Sequence, residues 1–74
     1  MIPAPKLWPL TDGGNVSCRE KLKTLEENHA ELAQVMQDAF EDAVLIGVDD
    51  TAMRRILQDM VNALRNPARA HAAE

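Results

Sequence analysis

Apolar residues recur every four and three positions through the middle of this 74-residue chain. Side chains at this spacing share one face of an α-helix, so the series predicts one long amphipathic helix. The positions of this seam are occupied by Cys18, Leu22, Leu25, His29, Leu32, Met36, Ala39, Ala43 and Ile46. A second and shorter series predicts another helix, with Met53, Leu57, Met60 and Leu64 on its apolar face.

Residues with helix-capping chemistry stand at the ends of both series. Ser17 with Glu20 three residues later forms a capping-box pattern, which marks the start of the long helix. Gly47 suits the left-handed position that ends many helices, and Asp49 suits the N-cap of the next one. Only two or three residues separate the helices, so they must fold back on each other as an antiparallel hairpin.

The sequence therefore predicts an all-α fold, a two-helix hairpin within residues 17–66. We expect the helices over about residues 18–46 and 50–65. Prolines at positions 3, 5 and 9 and the cluster TDGGN predict an extended or disordered segment at residues 1–16. Pro67 ends the helical pattern, and we expect residues 67–74 to be a disordered tail.

The two predicted helices differ in length, and this leaves part of the seam without a partner. The second helix can reach back only to about Glu31, because each helical residue adds about 1.5 Å. Phe40 and Leu57 would be buried between the helices, and truncating Phe40 to Ala would cost about 3 to 5 kcal/mol. Cys18, Leu22, Leu25 and His29 are left without a partner. Together with Leu32 and Met36 they make up a candidate interface.

Three occupants could cover this candidate interface. A second copy of the chain would complete a four-helix bundle, and we favour this homodimer because isologous pairing is the commonest solution for small hairpins. The apolar N-terminal residues Leu7, Trp8 and Leu10 could instead fold back onto it. A different protein is the third occupant, and it would make this chain an adaptor.

His29 is the one strongly polar residue in the seam, and we interpret it as a residue that specifies the interface. A polar side chain at such a position lowers stability while penalising wrong registers. We expect an antiparallel pairing of two long helices about Leu25, which keeps the short helices at opposite ends. Under this interpretation, replacing His29 with Leu raises the melting temperature and gives mixed oligomers.

An alternative interpretation of His29 is a metal ligand. Glu26 and His29 match the Glu-x-x-His pattern that contributes to di-iron helical bundles. The match is short, and the second helix offers no inward Glu to complete the site. A satisfied seam histidine is the favoured interpretation, so we expect no cofactor, and metal analysis of the purified protein would separate the two.

The charges favour a protein partner over a nucleic acid. Eight acidic residues and no basic ones lie between Glu26 and Asp50, and the formal net charge is −4. Such a surface could dock a basic protein, whereas non-specific nucleic-acid binding needs a basic face. A dimer of hairpins resembles the Rop-type RNA-binding bundle in outline, and RNA binding stays a second alternative.

Nothing in the chain matches a catalytic motif. It has no glycine-rich phosphate loop and no combination of Cys, Ser and His at catalytic spacing. A single cysteine and the lack of a basic, apolar leader predict a soluble cytoplasmic protein without a membrane span. The expected function is therefore protein–protein contact, as a small adaptor, assembly factor or regulator, and not enzymatic catalysis.

Overall fold

The computed structural model describes residues 2–68 of the chain. They form two α-helices, α1 over Arg19–Ile46 and α2 over Asp50–Asn62. The predicted all-α helical hairpin is confirmed. The chain divides into two compact units, Met1–Ala39 and Phe40–Glu74, and α1 passes from the first into the second. The end of the predicted tail, residues 69–74, lies outside the described residues.

The turn between the helices has the chemistry that the sequence predicts. Gly47 ends α1 with a φ of 112°, the left-handed conformation that glycine adopts without strain. The amide of Gly47 donates to Val44 O at 3.0 Å, and the amide of Val48 donates to Ala43 O at 2.9 Å. This is the Schellman arrangement, which satisfies carbonyls left free at the end of the helix.

Asp49 is the N-cap of α2, as predicted. Its Oδ2 accepts a hydrogen bond from the amide of Ala52 at 3.0 Å, while its backbone is extended. This bond satisfies one of the amide groups that a helix start leaves without a partner. The helix ends at Asn62 rather than near residue 65, with Ala63 as its C-cap.

The start of α1 differs from the prediction by one residue. The first helical hydrogen bond runs from the amide of Leu22 to Cys18 O at 2.9 Å, which makes Cys18 the N-cap rather than Ser17. The amide of Val16 is already bonded to Trp8 O at 2.9 Å, so the backbone is still held by the preceding segment there. The helix therefore starts later than the capping-box pattern indicates.

A hydrogen-bonded turn occupies the end of the predicted N-terminal segment. The amide of Leu10 donates to Gly14 O at 2.8 Å, and Pro9 and Asn15 form an antiparallel bridge. Asp12 Oδ1 accepts from the amide of Gly14 at 2.8 Å. Gly13 has a φ of 95°, which explains why a glycine stands at the tip. The predicted turn cluster thus closes a small loop immediately before α1.

Little of the chain is buried. Among residues 2–68, Ala33 alone is buried, with 4% of its surface exposed. Phe40 and Leu57 are half-buried, so the prediction that they form a buried core was too strong. The Arg54 guanidinium lies 4.8 Å from the centre of the Phe40 ring and covers it in place of an apolar side chain. Arg54 Nε also donates to Asp50 Oδ1, one turn earlier in α2, at 2.7 Å.

Candidate functional site

The N-terminal turn is in contact with the first half of α1. The ring centroids of Trp8 and His29 are 6.3 Å apart, and the two rings meet at 78°. This edge-to-face geometry is one of the favourable arrangements of aromatic side chains. His29 therefore has an apolar neighbour within its own chain. The seam pattern predicted an interface residue at this position and the Glu-x-x-His pattern a metal ligand, and neither pattern placed Trp8 against His29.

The indole of Trp8 brings an unsatisfied polar group into this contact. Its Nε1 is shielded from solvent and, among the partners that residues 2–68 could supply, has no acceptor. An indole N–H usually finds an acceptor when it is buried, because losing its water costs free energy. The contact of Trp8 with His29 therefore rests on ring packing and not on a hydrogen bond from the indole.

The other residues of the candidate interface are divided between covered and open positions. Like His29, three of them are half-buried: Leu22, Leu25 and Met36. Cys18 and Leu32 are exposed. Ala33, about 100° around α1 from Leu32, is buried instead. Of the predicted docking segment, Trp8 is half-buried while Leu7 and Leu10 are exposed.

An exposed apolar surface remains on α1 within the first unit. Leu32 and Val35 expose 60% and 64% of their surface. They line a shallow hollow together with Asn28 and Glu31. Val35 is not among the seam positions that the four–three spacing predicts. The pattern Lys21, Leu25, Asn28, Leu32 and Val35 is a second series with four–three spacing, and it was the signal that could have identified this face.

The second unit has exposed apolar residues of its own. They belong to the end of α1, to α2 and to the residues just after it, and they are Leu45, Ile46, Ile56, Met60, Val61 and Leu64. Single exposed apolar residues are ordinary on a protein surface, but groups of them mark interaction sites. Both units therefore present apolar side chains to solvent.

The alternative metal site has two candidate ligands, Glu26 and His29, on α1. Within residues 2–68, no group of three or more His, Cys, Asp or Glu side chains lies close enough to hold a metal ion. His29 faces Trp8 instead. A site that used Glu26 and His29 would need at least one further ligand, which the described residues do not place beside them.

Cys18 is exposed at the start of α1, and its thiol is free. Backbone amides of Lys21 and then Glu20 donate to its sulfur and lower the pKa of the thiol, and the Lys21 charge adds to this effect. Amides at a helix N-terminus stabilise a thiolate because they present partial positive charge. The cysteine is therefore a capping residue that ionises more readily than an ordinary thiol.

None of the helices among residues 2–68 combines the length and the apolar character that crossing a bilayer requires. Comparisons of the chain with protein-family models, curated proteins and solved structures found no match.

Proposed function

We propose that this chain acts through protein–protein contact, as a small adaptor, assembly factor or regulator, and that it does not catalyse a reaction. The observation that carries this proposal is the balance of buried and exposed apolar residues. Among residues 2–68 one alanine is buried, while large side chains such as Leu32, Val35 and Met60 are exposed. A partner that covers them adds stability of about 25 cal/mol for each Å² of apolar surface removed from water.

A second copy of the chain is the first partner in this proposal. Small hairpins commonly complete their core by pairing with a copy of themselves, which yields a four-helix bundle. The acidic stretch between Glu26 and Asp50 supports a further contact with a basic protein partner. The dimer would then be the unit that this partner recognises.

Sedimentation equilibrium across low to high micromolar concentrations tests the proposal. We expect a concentration-dependent dimer whose association is lost when Leu32 is replaced by Glu. Leu45→Glu is the matched control, because Leu45 is also exposed but lies about 140° away around α1. A chain that stays monomeric at every concentration, and that retains no basic protein from an extract of its source, would contradict the proposal.

A further inference from the structure

The part of the candidate interface around His29 is covered by the chain itself. Trp8 contacts His29 edge to face, with the ring centres 6.3 Å apart. Leu22 and Leu25 lie within about 40° of His29 around α1, so they share its side of the helix. Both are half-buried, and Val16 lines one shallow hollow together with Leu25. The segment that carries Trp8 and Val16 therefore lies over the N-terminal part of the seam.

This segment, residues 8–16, has a backbone closed on itself, and we call it the N-terminal strap. The amide of Val16 donates to Trp8 O at 2.9 Å, and the amide of Leu10 donates to Gly14 O at 2.8 Å. These bonds join residues of the strap to one another, so they persist when the strap moves away from α1. The strap can therefore move as one piece.

The contact that holds the N-terminal strap on α1 includes an unfavourable element. Nε1 of Trp8 is shielded from solvent, and nothing in the described part of the chain accepts its proton. Shielding a donor without an acceptor costs free energy of the same order as an aromatic pair contributes, so the two effects oppose each other. Leu7 and Leu10 flank Trp8 in the sequence but are exposed, so they add little to the cover. The strap is therefore held weakly, and water can satisfy the indole N–H once the strap opens.

We propose that the N-terminal strap is an autoinhibitory cover, which must open before two copies of the chain can pair along the whole seam. This inference rests on the proposed function, since it concerns the regulation of that same interface. With the strap closed, Leu32 is exposed on the seam while His29 is in contact with Trp8. Opening adds Leu22, Leu25 and His29 to the surface that a second copy can cover.

Opening and pairing are then linked by mass action. Both copies must be open, so the dimer dissociation constant varies with the inverse square of the open fraction. We expect about one molecule in ten to be open, which is at the upper end of the minor populations that proteins maintain. A change that opens the strap should tighten the dimer, and a change that closes it should weaken the dimer.

Hydrogen exchange of the Trp8 indole proton measures the opening directly, because the chain has one tryptophan. In the unmodified chain at a concentration where it is monomeric, we expect this exchange to be roughly tenfold slower than in free tryptophan. Backbone amides in the middle of α1, such as that of Ala33, should be slowed much more. An indole proton as slow as these amides would overturn the inference, since the strap would then open only when α1 unfolds. An indole proton as fast as free tryptophan would also overturn it, since the strap would not close.

Two substitutions of Trp8 should move the N-terminal strap in opposite directions. Trp8→Ala removes the ring and should lower the dimer dissociation constant by roughly tenfold or more in sedimentation equilibrium. Trp8→Phe keeps an aromatic ring and removes the donor that has no acceptor, so it should hold the strap more firmly and raise the constant. Leu7→Ala is the matched control, because Leu7 exposes 65% of its surface and should leave the constant unchanged.

The outcomes separate this inference from the function on which it rests. A Trp8→Ala dimer no tighter than that of the parent would overturn the inference and leave the proposed function in place, because the indole would not be competing with the second copy. Chains that stay monomeric in every variant would contradict the proposed self-association together with the inference. The exchange measurement uses the unmodified chain, so it tests the strap even where a substitution alters the stability of α1.

Discussion

The indole of Trp8 meets the imidazole of His29 at 78°, with the ring centres 6.3 Å apart. These residues are 21 positions apart in the sequence, and a small turn closed by Leu10 and Gly14 brings them together. The contact ties the proline-rich start of the chain to α1. It gives His29 a structural role inside one chain, before any second chain is considered.

Removal of the imidazole should release the tryptophan. We expect His29→Ala to shift the emission of Trp8 to longer wavelength and to lower the free energy of unfolding by about 1 kcal/mol, since an aromatic pair contributes that much beyond its buried area. Trp8 is the one tryptophan in the chain, so the fluorescence reports on this contact alone. Asn28→Ala, at the neighbouring exposed position, should leave the spectrum unchanged. Equal shifts in both variants would show that the contact does not hold the indole.

His29→Leu separates this role from the one that the sequence analysis assigns to His29. A leucine still packs against Trp8, so the emission should change less than in His29→Ala. The sequence analysis predicts a higher melting temperature and mixed oligomers for this variant. A sizing column and a thermal melt measure both properties. A clean dimer with a lower melting temperature would contradict the idea that His29 specifies the interface.

Two adjacent aspartates in the turn before α2 should differ in their contribution to stability. Asp49 accepts the capping hydrogen bond from Ala52, whereas Asp50 forms an exposed pair with Arg54 one helical turn away. We expect Asp49→Ala to lower the free energy of unfolding by about 1 kcal/mol and Asp50→Ala by roughly 0.3 kcal/mol. Urea denaturation measures both. A larger effect at position 50 would mean that the ion pair, and not the cap, starts α2.

The contact of the Arg54 guanidinium with the Phe40 ring should give a measurable interaction free energy between the two residues. A double-mutant cycle with Phe40→Leu and Arg54→Met should give an interaction energy of about 0.5 to 1 kcal/mol. Arg55→Met replaces the neighbouring arginine and is the control, with a coupling near zero. Because Phe40 is half-buried, Phe40→Ala should cost less than the roughly 3 to 5 kcal/mol that a fully buried ring loses.

The Cys18 thiol should ionise at lower pH in the folded chain than in the unfolded one, because the amides of Lys21 and Glu20 lower its pKa. The rate of alkylation by iodoacetamide, measured against pH with and without urea, should show this difference in midpoint. A lowered folded-state pKa stabilises the fold above the unfolded-state pKa, and this contribution disappears as pH falls through the folded-state pKa. Cys18→Ser keeps a capping acceptor without this titration, so its stability should lack this pH dependence. Identical midpoints in the two states would show that the amides do not hold the thiolate.

Local chemistry in the sequence determined the helices and the turn between them. Gly47 supplies the left-handed conformation, and Asp49 supplies an acceptor for the amide of Ala52. These interactions join residues within about one helical turn, so they can be inferred from spacing alone. The all-α hairpin and the ends of the turn were predictable for this reason. The start of α1 was less predictable, because the amide of Val16 donates to Trp8 O in the preceding turn, eight residues earlier in the chain.

The tertiary structure decided which side of α1 is covered. The seam pattern treats Leu25, His29 and Leu32 as equivalent members of one face, yet Leu32 is exposed while His29 contacts Trp8. That distinction depends on the path of the N-terminal turn, which brings Trp8 against His29. It also depends on contacts between residues far apart in sequence, which spacing does not encode. The contact of the Arg54 guanidinium with the Phe40 ring also joins residues of different helices, so the spacing of residues in the sequence did not predict it.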